Sequence, residues 1–138
     1  MAKYTLDFTA SEINERLSKL DDTPVSMELL WENASPNSEF AAQSIDVNTT
    51  GYDLIYIQST GGISDVIAKQ GDGVGCALVN VWARPTNSYY AERYFQIYNL
   101  SVKFEDAYQQ SIKPQVLDAF VINSRCKPYR IYGIKGVQ

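Results

Sequence analysis

The chain contains no histidine among its 138 residues. This absence removes the most common general base, the usual catalytic triads and the most common zinc ligand. The chain also has no apolar run long enough for a transmembrane helix. Its 12 basic residues are outnumbered by 16 acidic ones, for a net charge of −4, and no basic stretch is present that could follow a phosphate backbone. These absences disfavour histidine-dependent enzymes, membrane-spanning proteins and nucleic-acid-binding proteins.

Cysteine is scarce as well. The two cysteines, Cys76 and Cys126, could form a disulfide in an oxidising compartment. Two isolated cysteines are more often small buried apolar groups, so we predict free thiols. Near the N-terminus, Asp7 stands where a secretory signal peptide would need its apolar core, so we expect the chain to be made in a cytoplasm.

The sequence does contain enough apolar material for one buried core. Hydrophobic residues make up 45% of the chain and aromatic residues 12%, and ten residues are tyrosines. Tyrosine favours strands and half-wet surfaces, because its ring can be buried while its hydroxyl keeps a partner. Together with the length, these numbers predict a single globular domain that is rich in strand.

The first 24 residues predict a short capped helix, over about residues 10–20. Thr9 can cap the helix, and Glu12 stands three residues later, which completes a capping box. A helix of this length is marginal alone in water, so its apolar stripe must dock on its own domain, a sister copy or another protein. We therefore interpret residues 1–24 as an anchoring or oligomerisation segment. Three residues form the stripe: Ile13, Leu17 and Leu20.

The hydrophobic period changes to two at Val25, where the predicted β domain of residues 25–138 begins. In its first strand Val25, Met27, Leu29 and Trp31 share one phase, so we predict that they face the core. Trp31 is then buried at the end of the strand. The alternative is an exposed Trp31 that stacks on a sugar.

Later segments keep the same period and are separated by turn residues. Cys76–Trp82 is apolar enough for a central strand, residues 107–114 are predicted as a loop, and residues 116–122 fit a strand or one helical turn. Because no helix is predicted between the strands, the pattern favours an antiparallel β-sandwich or jelly roll preceded by a short N-terminal α-helix. The segment Tyr89–Leu100 is predicted as one long strand or a bent pair of strands. The further predicted strands are Phe40–Val47, Tyr52–Ile57, Ile63–Lys69, Cys76–Trp82, Val102–Phe104 and Tyr129–Ile134.

The run Gly71-Asp72-Gly73-Val74-Gly75 could be taken for a phosphate-binding loop. It lacks the lysine and serine of a P-loop, and neither a helix nor a βαβ unit is predicted around it. Glycines at alternate positions instead allow positive backbone angles, so we predict a hairpin turn.

Two acidic pairs, Asp21-Asp22 and Glu105-Asp106, are candidates for catalytic groups, and Glu105-Asp106 is also a candidate calcium site. Adjacent carboxylates on a strand point to opposite faces, so they do not converge for acid–base chemistry. Neither pair has the ligand spacing of a calcium loop. We predict solvated loop charge, and no catalytic residue, cofactor or metal site.

Tyrosines at a spacing of four form the most distinctive surface in the sequence. Tyr90, Tyr94 and Tyr98 share one face of a strand, with Glu92 and Gln96 between them. Rigid aromatic side chains give contact area at low entropic cost, so this face could contact a ligand such as a sugar. A wet sheet face is an alternative, and a subunit contact is favoured. A second candidate contact is Leu30, which is apolar on the otherwise polar face of the first strand.

Several stretches together resemble a module of bacteriophage virion proteins, especially those of phages of Gram-positive and gut bacteria. The capped helix Thr9–Leu17 is one. The β module is similar where it begins with Leu30–Asn33 and continues into Phe40–Ile45, then through Gly51–Ile55, and where it ends with Pro128–Gly136. Order and spacing agree over nearly the whole chain.

The resemblance implies a non-enzymatic virion structural protein: an oligomeric head-fibre, tail-fibre or capsid-decoration component that projects a β domain from the particle. It further implies a homotrimer, contacts with other virion proteins, synthesis in the host bacterial cytoplasm and no catalytic residues. A glycan-binding module that recognises a host receptor is the alternative function. A lysin-type glycosidase is a third, disfavoured by the geometry of the acidic pairs.

Overall fold

The computed structural model describes residues 9–12, 14–15, 25–60, 65–83, 85–113 and 119–136. Within these residues the chain is mainly β, with nine strands in two antiparallel sheets. The strands are β1 (Ser26–Glu32), β2 (Gln43–Asp46), β3 (Leu54–Ser59), β4 (Val66–Lys69), β5 (Val74–Ala83), β6 (Ser88–Ile97), β7 (Ser101–Lys113), β8 (Phe120–Val121) and β9 (Pro128–Lys135).

Strand order places the two ends of the β region side by side. The four-stranded sheet has the order β1-β9-β3-β4, so the first strand pairs with the last. The five-stranded sheet has the order β2-β7-β6-β5, and β8 also pairs with β7. The interior position predicted for the strand at Tyr52–Ile57 is confirmed, since β3 lies between β9 and β4.

The inward faces of the two sheets contribute to one hydrophobic core. Ile55, Ile57 and Ile131 come from the four-stranded sheet and are fully buried. Phe95 and Phe104 come from the five-stranded sheet, and their ring centroids lie 5.6 Å apart. Alternation of apolar residues on β3 and β6 places one side of each strand in this core, as the period of two predicts.

A β-bulge in β1 overturns the predicted facing of the first strand. Leu29 pairs with Tyr132 but Trp31 pairs with Ile131, so Leu30 is an extra residue and the side-chain phase changes there. Val25, Met27 and Leu29 are therefore exposed, and the prediction that they face the core is wrong. Leu30 and Trp31 are half-buried and pack against the core. Trp31 lies edge-on to Phe40, with 6.3 Å between the ring centroids.

Three other predictions are corrected by the strand pairing. Residues 107–113 continue β7 as a strand, where a loop was predicted, because they pair with β6 over most of its length. β5 is the edge strand of its sheet and not a central one. The glycine run does form a turn, with Gly73 at a φ of 89°, but β4 and β5 belong to different sheets, so it is a crossover and not a hairpin.

The capping box at the start of the predicted helix is confirmed. Residues 10–12 and 14–15 are helical. The Thr9 amide donates to Glu12 Oε2 at 3.1 Å, and the Glu12 amide donates to Thr9 Oγ1 at 3.2 Å. This reciprocal pair satisfies two amides that a helix start leaves unpaired. The other residues of the predicted helix, including the stripe residues Ile13, Leu17 and Leu20, lie outside the described residues.

Candidate functional site

The predicted tyrosine face exists on the outward side of the five-stranded sheet. Tyr90 and Tyr94 lie on β6, and Tyr98 follows the end of that strand. The Tyr90 hydroxyl donates to Glu92 Oε2 at 2.5 Å, and the Tyr98 hydroxyl donates to Gln96 Oε1 at 2.9 Å. The polar residues between the tyrosines thus hold two of the three hydroxyl groups in fixed positions.

Tyr94 lies across the neighbouring strand at Gly75. A Cβ added at Gly75 would come within 2.2 Å of the Tyr94 hydroxyl oxygen, so a larger residue there would displace the ring from this position. Tyr94 still has 45% of its surface exposed. Nearby on the same outward side, Val81 is 55% exposed and pairs with Tyr90. This face, which we call the tyrosine face, therefore mixes fixed hydroxyl groups with exposed apolar surface.

The outward side of the four-stranded sheet is more apolar than the tyrosine face. Cross-strand pairing aligns its side chains in two rows, because directly paired residues point to the same face. Met27 and Ile67 are 58% exposed and Leu29 is 50% exposed. We call this surface the outer apolar face; its rows are Met27, Ile134 and Leu54, which end at Lys69 on β4, and Leu29, Tyr132, Tyr56 and Ile67.

A polar row borders the outer apolar face on one side. Arg130 pairs with Glu32 on one neighbouring strand and with Gln58 on the other. The Arg130 Nε atom lies 3.6 Å from Glu32 Oε2. An apolar patch with a polar rim is the usual composition of a protein contact surface. The sequence pattern does not predict this face. The bulge at Leu30 turns Met27 and Leu29 outward, and the alternation of apolar and polar residues does not show where a bulge lies.

Leu30 does not belong to this face. The bulge turns its side chain toward the core, where it is half-buried. Its predicted placement on an outward polar face is therefore wrong, and its predicted role as a contact stays without support.

A buried arginine joins the strands to two loops. Arg93 is fully buried on the inward face of β6. Its Nε donates to the Cys126 carbonyl at 2.9 Å, and its terminal nitrogens donate to the carbonyls of Glu105 at 2.6 Å and Arg125 at 3.3 Å. The guanidinium carbon lies 5.2 Å from the centre of the Phe40 ring. Burial lowers the pKa of Arg93 to about 10, so the group stays charged at neutral pH.

The carboxylate beside Arg93 is also fixed by hydrogen bonds, which corrects the prediction of loop charge at Glu105-Asp106. Both residues lie in β7, where its register with β6 shifts. Asp106 Oδ1 accepts from the Ala42 amide at 2.9 Å and from Asn123 Nδ2 at 3.0 Å. These hydrogen bonds, first that of Ala42, lower the pKa of Asp106. Through these two hydrogen bonds the Asp106 carboxylate connects the loops at residues 42 and 123 to β7.

Cys126 completes this cluster as a structural residue. Both cysteines are free thiols, as predicted, and Cys126 is buried. It has a φ of 49°, in the left-handed region that non-glycine residues rarely adopt. Its thiol donates to the Ala91 carbonyl at 3.5 Å, and burial raises its pKa. The hydrogen bond from Arg93 to the Cys126 carbonyl helps to hold this unusual backbone conformation.

No family model, curated protein or solved structure matches the chain. In the parts of the chain that the structure describes, no cluster of three or more potential metal-ligating side chains is present. No helix within the described ranges is long and apolar enough to cross a membrane.

Proposed function

We propose that this chain is a non-enzymatic structural protein of a bacteriophage virion, a homotrimeric fibre, tail or decoration component that projects its β domain from the particle. The outer apolar face is the observation that carries this proposal. Monomeric soluble proteins rarely leave a large contiguous apolar patch exposed, and such patches usually mark contact surfaces. Two sheets over one core also agree with the β domain that the resemblance implies.

A second copy of the chain is the occupant we propose for this face. Val25, which is 65% exposed, immediately precedes β1, so the predicted oligomerisation segment joins the domain beside the exposed Met27. Contacts made by that segment would bring the same face of each copy close to a common axis. The number three comes from the resemblance to virion proteins.

Light scattering on the purified chain tests this assembly. We expect the mass of three chains at micromolar concentration. Leu29→Glu should shift the mass toward one chain, because burying an unpaired carboxylate costs several kcal/mol. Leu100→Glu is the matched control: Leu100 is 69% exposed in the β6–β7 turn of the other sheet, outside the outer apolar face, and its replacement should leave the mass unchanged.

Two outcomes would contradict the proposed assembly. A wild-type mass of one chain at micromolar concentration would remove the oligomer altogether. Dissociation by Val81→Glu but not by Leu29→Glu would move the contact to the tyrosine face. Virion placement needs a separate test, in which an antibody against the chain must label purified particles of the phage that encodes it.

Glycan binding is the second candidate function, and the tyrosine face favours it. Two of its hydroxyl groups are held by Glu92 and Gln96, so little side-chain entropy is lost when a polar ligand binds. A glycan array with wild type and Tyr94→Ala tests this candidate. Binding that Tyr94→Ala leaves unchanged would exclude the tyrosine face as the glycan site.

A further inference from the structure

We infer that a cleft at one end of the five-stranded sheet binds an anionic sugar, whose carboxylate or phosphate pairs with Arg125. The inference rests on the second candidate function and names for it a site other than the tyrosine face. The cleft has a volume of about 230 Å³. Its described lining residues are Trp82, Asn87, Tyr89, Gln109 and Arg125.

Strand pairing brings the two rings of the cleft together. Trp82 on β5 and Tyr89 on β6 are direct cross-strand partners, so their side chains leave the sheet on the same face. Gln109 on β7 pairs with Ala91, which lies two residues after Tyr89 and is fully buried. The cleft therefore belongs to the inward face of the five-stranded sheet. Its lining side chains on these three strands are only half-buried, so the cleft is open to solvent.

Arg125 is placed to receive an anion. Its guanidinium carbon lies 4.3 Å from the centre of the Trp82 ring, which is a stacking contact. Stacking occupies the flat face of the group and leaves its N–H edge free for the two oxygens of a carboxylate or phosphate. Among the described residues, no carboxylate lies within ion-pair distance of Arg125.

The backbone of Arg125 is fixed by the buried cluster. Its amide donates to the Ile122 carbonyl at 3.2 Å, and its carbonyl accepts from Arg93 at 3.3 Å. Both arginines act on the Cys126 thiol in the direction that favours its negative form. Glu92 acts on the same thiol in the opposite direction, and the Asp106 carboxylate acts on Arg93. Among the described residues, Arg125 is thus the guanidinium group of this pair that is left for an anion, in a chain with a net charge of −4.

The remaining polar groups suit the hydroxyls of a sugar. Asn87 Nδ2 donates to the Tyr89 hydroxyl oxygen at 3.2 Å, so the hydroxyl keeps its own proton to donate. The Asn87 and Gln109 side-chain amides can both donate and accept. A volume below the range of about 300–1,000 Å³ typical of drug-sized ligands fits a single sugar unit better than a larger cofactor.

The position of the cleft agrees with receptor binding. Trp82 and Tyr89 lie at the end of the β5–β6 pair opposite to Val74 and Ile97. Val74 and Ile97 lie at the end of the domain where the chain enters β1. Two hydrogen bonds show this: the Gln70 side-chain amide donates to Asn99 Oδ1 at 3.2 Å, and the Gln70 backbone amide donates to the Asp53 carbonyl at 3.1 Å. Asp53 in turn lies beside the end of β9, which pairs with the start of β1. A domain attached through Val25 would therefore present the cleft outward.

Nuclear magnetic resonance titration of the full chain tests the inference. The indole N–H signal of Trp82 reports on the cleft, and that of Trp31 serves as an internal reference; Trp31→Phe assigns the two signals. The probes are glucuronate and glucose 6-phosphate, with glucose as the neutral sugar and acetate and inorganic phosphate as anions without a sugar. We expect both anionic sugars to bind about tenfold more tightly than glucose and than the simple anions, with affinity falling as salt is added.

Variants of two stacked arginines provide the control. Arg125→Gln should remove the preference for the anionic sugars, an affinity loss of about tenfold. Arg130→Gln should keep the preference for anionic sugars, because Arg130 lies outside the cleft. It is a matched control, since its guanidinium carbon also stacks on an aromatic ring, 4.3 Å from the centre of Tyr129. Thermal unfolding of each variant confirms that it is folded.

Several results would overturn the inference. Equal binding of glucose and glucuronate, unchanged binding by folded Arg125→Gln, or no binding of either anionic sugar would each exclude an anionic-sugar site. Tight binding of phosphate and glucose 6-phosphate alike would show an anion site without sugar recognition. The oligomer mass is measured separately, so failure here leaves the proposed assembly untouched.

Discussion

The interior of this protein holds a charged side chain, whereas one of its outward faces is aliphatic. Arg93 is fully buried, while Met27 and Leu29 have 58% and 50% of their surfaces exposed. Arg93 is tolerated because three backbone carbonyls accept its N–H groups, which compensates for the lost water. In the part of the chain that the structure describes, these aliphatic side chains have no comparable compensation. Whether a side chain is stable where it lies therefore depends on the groups that contact it, and not on its polarity alone.

The largest expected effect on stability comes from replacing the buried Arg93. Arg93→Ala should lower the free energy of unfolding by roughly 3–5 kcal/mol, since it removes the donor to the buried Cys126 carbonyl and to two part-buried carbonyls and opens a cavity. Urea unfolding followed by circular dichroism measures the loss. Arg130→Ala, which removes an arginine near the surface, should cost about 0–1 kcal/mol. Equal losses in the two variants would mean that burial of Arg93 has no special energetic role.

A second comparison sets Trp31 against Met27 on the same strand. Trp31→Ala should cost about 2–4 kcal/mol, because the half-buried ring packs against the core and Phe40. Met27→Ala should change the stability of the isolated domain by only about 0.5 kcal/mol. The free energies of unfolding are measured at a concentration low enough to dissociate any oligomer. In a Trp82→Phe background, free quenching of Trp31 by an aqueous quencher would contradict its packing against the core.

The Asp106 carboxylate gives the cluster around Arg93 a pH dependence. Its pKa is lower in the folded chain, so its contribution is present above the unfolded pKa and is lost as pH falls through the folded pKa. Asp106→Asn should therefore be less stable than wild type at neutral pH, and the difference should narrow below about pH 4. Urea midpoints across this range measure the difference.

A donor variant checks the cause of that shift. Asn123→Ala removes one of the hydrogen bonds to Asp106 and should raise the carboxyl pKa, which nuclear magnetic resonance can follow directly. An unchanged pKa of Asp106 in this variant would assign the whole shift to the other neighbours.

The smallest expected effect concerns the tyrosine face. The hydrogen bond to Glu92, with contributions from burial and from the carboxylate charge, raises the pKa of Tyr90 to about 12. Glu92→Gln should lower this pKa toward the ordinary value near 10. Because the folded pKa is the higher one, the associated stability is full below about pH 10 and is lost between there and about pH 12. Near-ultraviolet absorbance during alkaline titration measures the change; Glu105→Gln is the control and should leave Tyr90 unchanged.

Local periodicity predicted most of the architecture. The strands around Tyr56, Lys69, Trp82 and Ile131, the turn at Gly73 and the shared face of Tyr90 and Tyr94 are all present. These features depend on residues close in sequence, where alternation of side chains is a sufficient signal. The burial of Arg93 was partly predictable, because Arg93 alternates with Ala91 and Phe95 on the apolar side of its strand. The carbonyl groups that accept its hydrogen bonds were not predictable, because they lie far away in the sequence.

The candidate sites were harder to predict than the strands. The outer apolar face exists because of an extra residue at Leu30, and a bulge is defined only by the pairing of β1 with β9. The cleft joins Trp82 to Arg125 from a loop between β8 and β9, so no local pattern links them. The length of β7 was missed for a related reason: its polar second half is stabilised by pairing with β6 and not by its own composition.

The pairing of β1 with β9 has a mechanical consequence. Ser26 lies opposite Lys135, so the chain enters and leaves this part of the domain at neighbouring points. Tension applied between these two points would pull the strands apart from one end and break their hydrogen bonds one after another. Tension between Ser26 and the opposite end of β9 would instead load the same hydrogen bonds together. We therefore expect a lower unfolding force when the chain is pulled at Ser26 and Lys135 than when it is pulled at Ser26 and Pro128.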